Sequence, residues 1–324
     1  MDNETLLELL RCHSTPGDEG EVAALLAREW QDAGWSITRH GAYAVSARRS
    51  GAASRRPRLL ITAHMDSPGF TVERRERKSL YVLPLGGAGF QGKSAPAILK
   101  TAGGKVPIRL HCRADKEGRR AYHFRDPGTP IRHGDRVCFA AEPVISRKGE
   151  ITSPFLDNRL GCALLCDVAR ALPSDGLAFE VVVGATAAEE FGGFGATVLA
   201  RAIEPDLVIC LDATYESREQ RVLLGKGPVL TLSDASVLIG PAMHDLILEW
   251  FLQRGFPLQT EVYNVSGTDA RAFPKVGLPA PVLALLIATR GNHSPAEVAN
   301  LADYSSLREA LLRFAVDPPP VVEA

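Results

Sequence analysis

The sequence predicts an α/β protein, a mixed central sheet flanked by helices, with a small β-rich domain inserted into it. Three observations predict this. Short apolar runs alternate with segments of helical period near both ends of the chain, which implies a sheet covered by helices on both faces. Between Thr71 and Pro154 the helical period disappears and glycine-containing turn pairs punctuate the chain. Several apolar runs lead to an acid or a histidine, and ligands of such folds gather at the carboxyl ends of strands. The break in pattern divides the chain into residues 1–68 and 153–324, the expected α/β part, and an insertion over 69–152.

Taken in order, Thr5 to Cys12 reads as a short helix, stopped by Ser14-Thr15-Pro16-Gly17. Glu19 to Ala33 reads as a second, with Val22, Leu25, Leu26 and Trp30 near helical spacing and Gly34 as its stop. Ser36 to Ser46 reads as one strand and the basic stretch Arg48 to Arg58 as an exposed turn. Arg58 to Thr62 is a buried strand that delivers Ala63-His64-Met65-Asp66. Within the insertion, Val106, Ile108, Leu110 and Cys112 alternate with polar residues or proline, and Arg136 to Ala140 is a second short strand. After Asp157 the α/β rhythm returns. Helices are expected at Leu160–Leu172, Phe194–Ala202, Met243–Arg254 and Asp303–Ala315, with strands at Leu177–Ala185, Asp206–Leu211 and Val282–Ala288.

Composition narrows the class. Of the 324 residues, 45% are hydrophobic and 23% charged, as in an ordinary globular protein. A net charge of −1 gives no electrostatic case for nucleic acid or an anionic membrane. The six cysteines show no Cys-x-x-Cys spacing, which fits a reduced, cytoplasmic setting. The acidic start Met1-Asp2-Asn3-Glu4 lacks the pattern of a signal peptide, and the run near Pro281 to Ala288 is too short to span a bilayer.

The chemistry-bearing residues cluster by position. His64 and Asp66 follow the first buried strand; Glu189 and Glu190 follow the second; Asp212 ends the third; His293 follows the fourth. Asp157 sits where the insertion returns. Singly, each suits a cap or a hydrogen-bonded loop residue. Together at one edge of one sheet they suit a metal centre, and imidazole with carboxylate fits zinc, cobalt or manganese. The absence of cysteine from these positions argues against a closed structural zinc site.

The chain resembles the TET or glutamyl-aminopeptidase family of dinuclear metallo-aminopeptidases, some of which carry an endoglucanase label. The matching stretches are Ala63-His64-Met65-Asp66, Leu156-Asp157-Asn158-Arg159-Leu160-Gly161, Glu189-Glu190, Leu211-Asp212, Gly225-Lys226-Gly227-Pro228, Gly267-Thr268-Asp269-Ala270 and His293-Ser294-Pro295-Ala296-Glu297-Val298. The resemblance implies a zinc-peptidase-like catalytic domain holding two divalent metals, zinc foremost, with cobalt or manganese as alternatives. Asp157 would bridge them, His64 and Asp212 would complete one shell, and Glu190 and His293 the other. Glu189 would be the general base, and Asp66 would orient His64 through its far ring nitrogen. A water activated between the metals would then release N-terminal residues from short peptides. The resemblance also implies a homo-oligomer, a dimer at least or a dodecamer, with the inserted domain as dimerisation contact. Ser67-Pro68, Gly193-Phe194 and Gly291-Asn292 depart from the family's pattern near the site, and these departures bear on substrate preference. An N-deacylase on the same scaffold would share the ligand set, whereas the intact Glu189 and the complete set argue against a non-catalytic oligomeric homologue. A glycosidase would leave both histidines and Asp212 without a task.

Overall fold

Leu59 and Ile61 pack into one hydrophobic core and Leu60 into another, on the opposite side of their strand. Val181 and Val183 alternate with Val182 in the same way. Strands covered on both faces need continuous apolar runs, which is why these segments carry no polar alternation. The computed structural model describes residues 3–49, 56–114, 116, 118–263 and 266–321.

The chain begins with α1 (Glu4–Arg11) and α2 (Gly20–Asp32), followed by β1 (Trp35–His40), β2 (Ala44–Arg49) and β3 (Arg58–His64). The single strand expected over Ser36–Ser46 is a hairpin instead: Gly41 takes φ +63° and reverses the chain, pairing His40 with Ala44. Much of the turn expected over Arg48–Arg58 lies outside the described residues, and Arg49 and Arg58 belong to strands. Six strands then close a barrel: β4 (Gly69–Glu76), β5 (Ser79–Leu85), β6 (Ser94–Thr101), β7 (Gly104–Ala114), β8 (Arg120–Arg125) and β9 (Arg136–Phe139), in the order β4-β5-β8-β7-β6-β9. Phe70, Phe90, Tyr122 and Phe139 fill its interior with ring contacts. Next come β10 (Val144–Ile145) and β11 (Glu150–Ser153), which join the large sheet rather than the barrel.

The remaining elements are α3 (Leu156–Ala171), β12 (Glu180–Thr186), α4 (Phe194–Ile203), β13 (Leu207–Tyr215), β14 (Val229–Ser233), α5 (Pro241–Gln253), β15 (Gln259–Val262), α6 (Ala272–Lys275), β16 (Val282–Arg290), β17 (Glu297–Asn300) and α7 (Leu301–Val316). The large sheet runs β1-β2-β12-β3-β13-β16-β17-β11-β10, and β14 and β15 branch from β16. Its centre, β12-β3-β13-β16, is parallel, and its flanks are antiparallel. Helices α1, α2, α3 and α7 pack on one another and on one face, while α4 and α6 cover the other. This is the mixed, helix-flanked sheet with an inserted β barrel that the sequence predicts. β13 is longer than expected, so Asp212 lies within the strand and not at its end; parallel pairing with β16 carries the ladder on to Tyr215. Among the described residues no helix is long and apolar enough to cross a membrane.

Candidate active site

The register of the parallel strands sets the first two side chains. Thr62 of β3 pairs with Cys210 of β13, so Asp212, two residues on, is level with His64. His64 Nε2 lies 3.1 Å from Asp212 Oδ1 and 3.2 Å from Asp157 Oδ1. Asp157 enters from the start of α3, where it and Asn158 hold non-helical backbone angles after Phe155 in the left-handed region. Its other oxygen, Oδ2, lies 3.6 Å from His293 Nε2, and that nitrogen lies 3.4 Å from Glu190 Oε1. Asp157 therefore stands between two imidazoles, one oxygen toward each. His64, Asp157 and Asp212 form one group with ligand atoms in mutual reach; Asp157, Glu190 and His293 form a second; His64, Glu189 and Glu190 form a third.

All five expected metal ligands thus converge, and Glu189 lies beside them. Asp66 converges too, in a different way. The ring nitrogen Nδ1 of His64 is 3.0 Å from the backbone oxygen of Asp66, with the Asp66 carboxylate 3.7 Å away. That carboxylate instead accepts the backbone N–H groups of Glu189 (3.0 Å) and Glu190 (3.1 Å). Its backbone oxygen is the nearer partner of the imidazole, with the carboxylate behind it, and that carboxylate also positions the two glutamates.

Glu297 repeats this device on the other side. Its two oxygens accept the N–H of Asp157 (3.0 Å) and of His293 (2.9 Å), and the residue is 1% exposed. Ser67 donates to the Asp157 carbonyl, and buried Arg159 donates to the Met65 carbonyl and to Ser67. Arg271 donates to Glu189 Oε1 at 3.2 Å. Arg159 and Glu297 lie in stretches that resemble the family and Ser67 in a departure from it, but the sequence assigns none of them a role, and Arg271 carries no signal there. Glu297 is visible as the acid four residues after His293.

The barrel supplies one wall. Gly86 and Gly87, both with positive φ, follow β5 and lie against Glu190 and His293. A Cβ at Gly86 would sit 2.7 Å from the Glu190 Cβ, and one at Gly87 would sit 3.2 Å from His293 Nδ1. The Gly89 N–H donates to the His293 carbonyl. Beyond the cluster opens a cavity of about 400 Å³, walled by Thr214, Tyr215, Asp234, Glu261, Tyr263 and Arg271.

Electrostatics show what this arrangement lacks. Burial and the neighbouring acids push Glu189 and Glu190 well above the usual carboxylate range, and burial raises Asp212 as well. Burial would lower His64, but Asp212, Asp157 and Asp66 hold it well above its ordinary value. Burial would raise Asp157, but His293 and His64 hold it below. Asp157 Oδ1 is buried and has no hydrogen-bond partner among the described residues. With only the ion-pair contact to His64, a buried carboxylate oxygen among several acids is costly unless a further cation neutralises the cluster. The donors present are imidazole nitrogen and carboxylate oxygen, the set borderline divalent metals take, so the residues fit such ions.

The sequence profile of the M42 glutamyl aminopeptidases matches residues 127–309, more than half of the chain. The chain belongs to the M42 glutamyl aminopeptidase family. It is a peptide hydrolase of the aminopeptidase class. Glutamyl aminopeptidase of Lactococcus lactis subsp. cremoris is 26% identical over 325 residues, covering 91% of this chain and 90% of that protein. The TET aminopeptidase of a marine sediment Thaumarchaeota archaeon shares the fold, with TM-score 0.89 and 22% identity over 99% of this chain and 97% of that one. The TET1 peptidase of Pyrococcus horikoshii, described as assembling into a tetrahedron or a large octahedral shell, has TM-score 0.85 and 21% identity over 97% and 99%. The profile match takes in Asp157, Glu189, Glu190, Asp212 and His293. His64 and Asp66 precede it, and the sheet register brings them to the same place.

Proposed function

We propose that this M42 member is a dinuclear metallo-aminopeptidase that trims single residues from the free N-termini of short peptides. The observation that carries the reading is Asp157, with one oxygen toward His64 and Asp212 and the other toward His293 and Glu190. His64 and Asp212 would hold one divalent ion, Glu190 and His293 the other, and Asp157 both. Zinc suits the donor set best, with cobalt or manganese as alternatives. Bound there, the ions would act as Lewis acids on the scissile carbonyl and lower the pKa of a water between them.

The chain's own residues do the rest. Glu189 takes a proton from the attacking water and passes it to the leaving amine. Asp66 fixes the backbone of Glu189 and Glu190, so that one can serve the proton while the other serves the ion. Arg271 holds one Glu189 oxygen in place. The cavity of about 400 Å³ accommodates a short peptide end.

The assembly reading follows the TET relatives: a homo-oligomer, dimeric at least and in the fuller case dodecameric. Residues 1–68 and 153–324 would form the catalytic unit, and the insertion over 69–152 would contribute the dimer contact. A cytoplasmic setting suits the free thiols among the described cysteines.

The test is metal-depleted protein refilled with one ion at a time and assayed on free and N-acylated peptides. Hydrolysis of free-amino peptides alone, lost on chelation and restored by zinc, cobalt or manganese, is the expected result. Cleavage of acylated substrates, or activity untouched by chelation, overturns it.

A further inference from the structure

Arg271 is the one lysine or arginine lining the active-site cavity among the described residues. It follows Thr268, whose hydroxyl accepts the Ala270 N–H and fixes the short turn of Asp269–Arg271. Its guanidinium gives one N–H to Glu189, whose side chain is 9% exposed, while its own side chain is 30% exposed. Gly193, with φ +68°, lies beside it; a Cβ there would sit 3.4 Å from Asp269 Oδ1 and 3.7 Å from Arg271 Nε. Two acids of the cavity wall have hydrogen-bond partners of their own. Glu261 takes the hydroxyls of Thr214 and Thr231, and Asp234 takes the N–H groups of Ser236 and Val237. Arg271 presents a planar fork matched to a carboxylate.

Which part of a substrate meets this fork follows from Glu189. On the reading above, water's oxygen bonds to the acyl carbon and the C–N bond breaks. Glu189 gives the proton it took from water to the departing nitrogen. A group bonded to Glu189 is therefore within reach of the leaving side of the scissile bond. In a dipeptide the leaving half is a free amino acid, with its carboxylate one carbon from that nitrogen. In a longer peptide a neutral amide occupies the same place.

We propose that Arg271 is a specificity-determining residue that takes the C-terminal carboxylate of a dipeptide, so that dipeptides are the preferred substrates of this site. The inference rests on the role given to Glu189. A bidentate guanidinium–carboxylate pair gives a preference of about tenfold to hundredfold over an uncharged end.

The experiment compares Leu-Gly with Leu-Gly-amide, and Leu-Gly-Gly as a longer peptide, in wild type, Arg271→Gln and Arg271→Lys. The ratio of kcat/KM for Leu-Gly to that for its amide should be tenfold or more in the wild type and near one in Arg271→Gln. Arg271→Lys should recover part of it. Any common loss from freeing Glu189 cancels in the ratio. Equal losses on acid and amide, with the ratio kept, would place Arg271 in base positioning or oxyanion stabilisation and overturn the proposal. A second measurement is independent of turnover: calorimetric binding of the reduced-bond analogue of Leu-Gly and of its amide. Tighter binding of the acid by wild type, lost in Arg271→Gln, supports the proposal even where hydrolysis fails, a failure that would fall on the role of Glu189 alone. Equal binding of the two analogues by wild type overturns it.

Discussion

Glu189 and Glu190 are consecutive, so their side chains diverge, and Asp66 fixes both backbone N–H groups from one carboxylate. Glu190 reaches His293 and Glu189 reaches Arg271. Glu189→Gln keeps the size and removes the basic oxygen, so kcat should fall by about 10²–10⁴-fold while metal content, read by elemental analysis, stays at the parental level. Glu190→Gln should lose one ion per chain and regain part of its activity in excess metal. The reverse pairing of results would exchange the two roles. Glu297 allows a finer test, because its carboxylate holds backbone N–H groups, those of Asp157 and His293 among them. Glu297→Gln retains one acceptor and presents a donor to the other N–H, so metal affinity should drop by about 10–100-fold, in a competition titration, with kcat at saturating metal largely kept. The five converging residues were legible as candidates because histidines and acids after apolar runs are chemically distinctive, and the family resemblance implied their roles. The role of Glu297, though the residue lies in a matching stretch, and that of Arg271 were not, because an acid or an arginine in a polar segment looks the same whether it faces solvent or a buried partner.

At the scale of elements, the buried strands β3, β12, β13 and β16 were readable from their apolar runs, since both faces are covered. Strands β14, β15 and β17 were not; at five, four and four residues they are too short to show a period. The barrel was legible as a loss of helical pattern, but its loop over the site was not, because a glycine pair reads as any turn. That loop can be tested. Gly86 and Gly92 both have positive φ, yet only Gly86 meets Glu190, and nothing lies within 4 Å of a Cβ at Gly92. Gly86→Ala should therefore cost at least tenfold in kcat/KM, and Gly92→Ala, equally strained in backbone, should cost little; similar losses in both would remove the barrel loop from the site. A second element-scale device is Glu19, which precedes α2 and accepts the N–H groups of Gly17 and Ala188, tying the helix to the loop of Glu189. Burial, with Asp66 adding to it, pushes this carboxyl up to about 7. A carboxyl raised in the folded state contributes stability that is full below its unfolded value and is lost as pH rises through the folded value. Glu19→Gln keeps an acceptor oxygen and no charge, so its Tm should exceed that of wild type at pH 8, on the order of 1–3 kcal/mol in stability, and the gap should close toward pH 5.

For the whole molecule, the site is a junction as much as a catalyst. Its ligands come from β3, the start of α3, the loop after β12, the middle of β13 and the loop after β16, so bound ions would join five chain segments. Without ions the same junction gathers acids that repel one another in a buried place, relieved only by two imidazoles and Arg271. Chelation should therefore lower Tm. With ions at a thousandfold excess over Kd the linkage is worth about 4 kcal/mol per site, a shift of several degrees or more in a chain of this size. The sign of a ligand substitution should then depend on the state measured. In metal-loaded protein Glu190→Gln should lower Tm, because an ion loses a ligand. In stripped protein the same change removes one member of a repelling cluster and keeps its shape, so Tm should rise above that of stripped wild type at neutral pH. Differential scanning calorimetry of both proteins in both states measures this directly. A substitution that lowered Tm by the same amount with and without metal would mean that Glu190 stabilises the fold by packing alone, and the site would then not be a metal-linked junction.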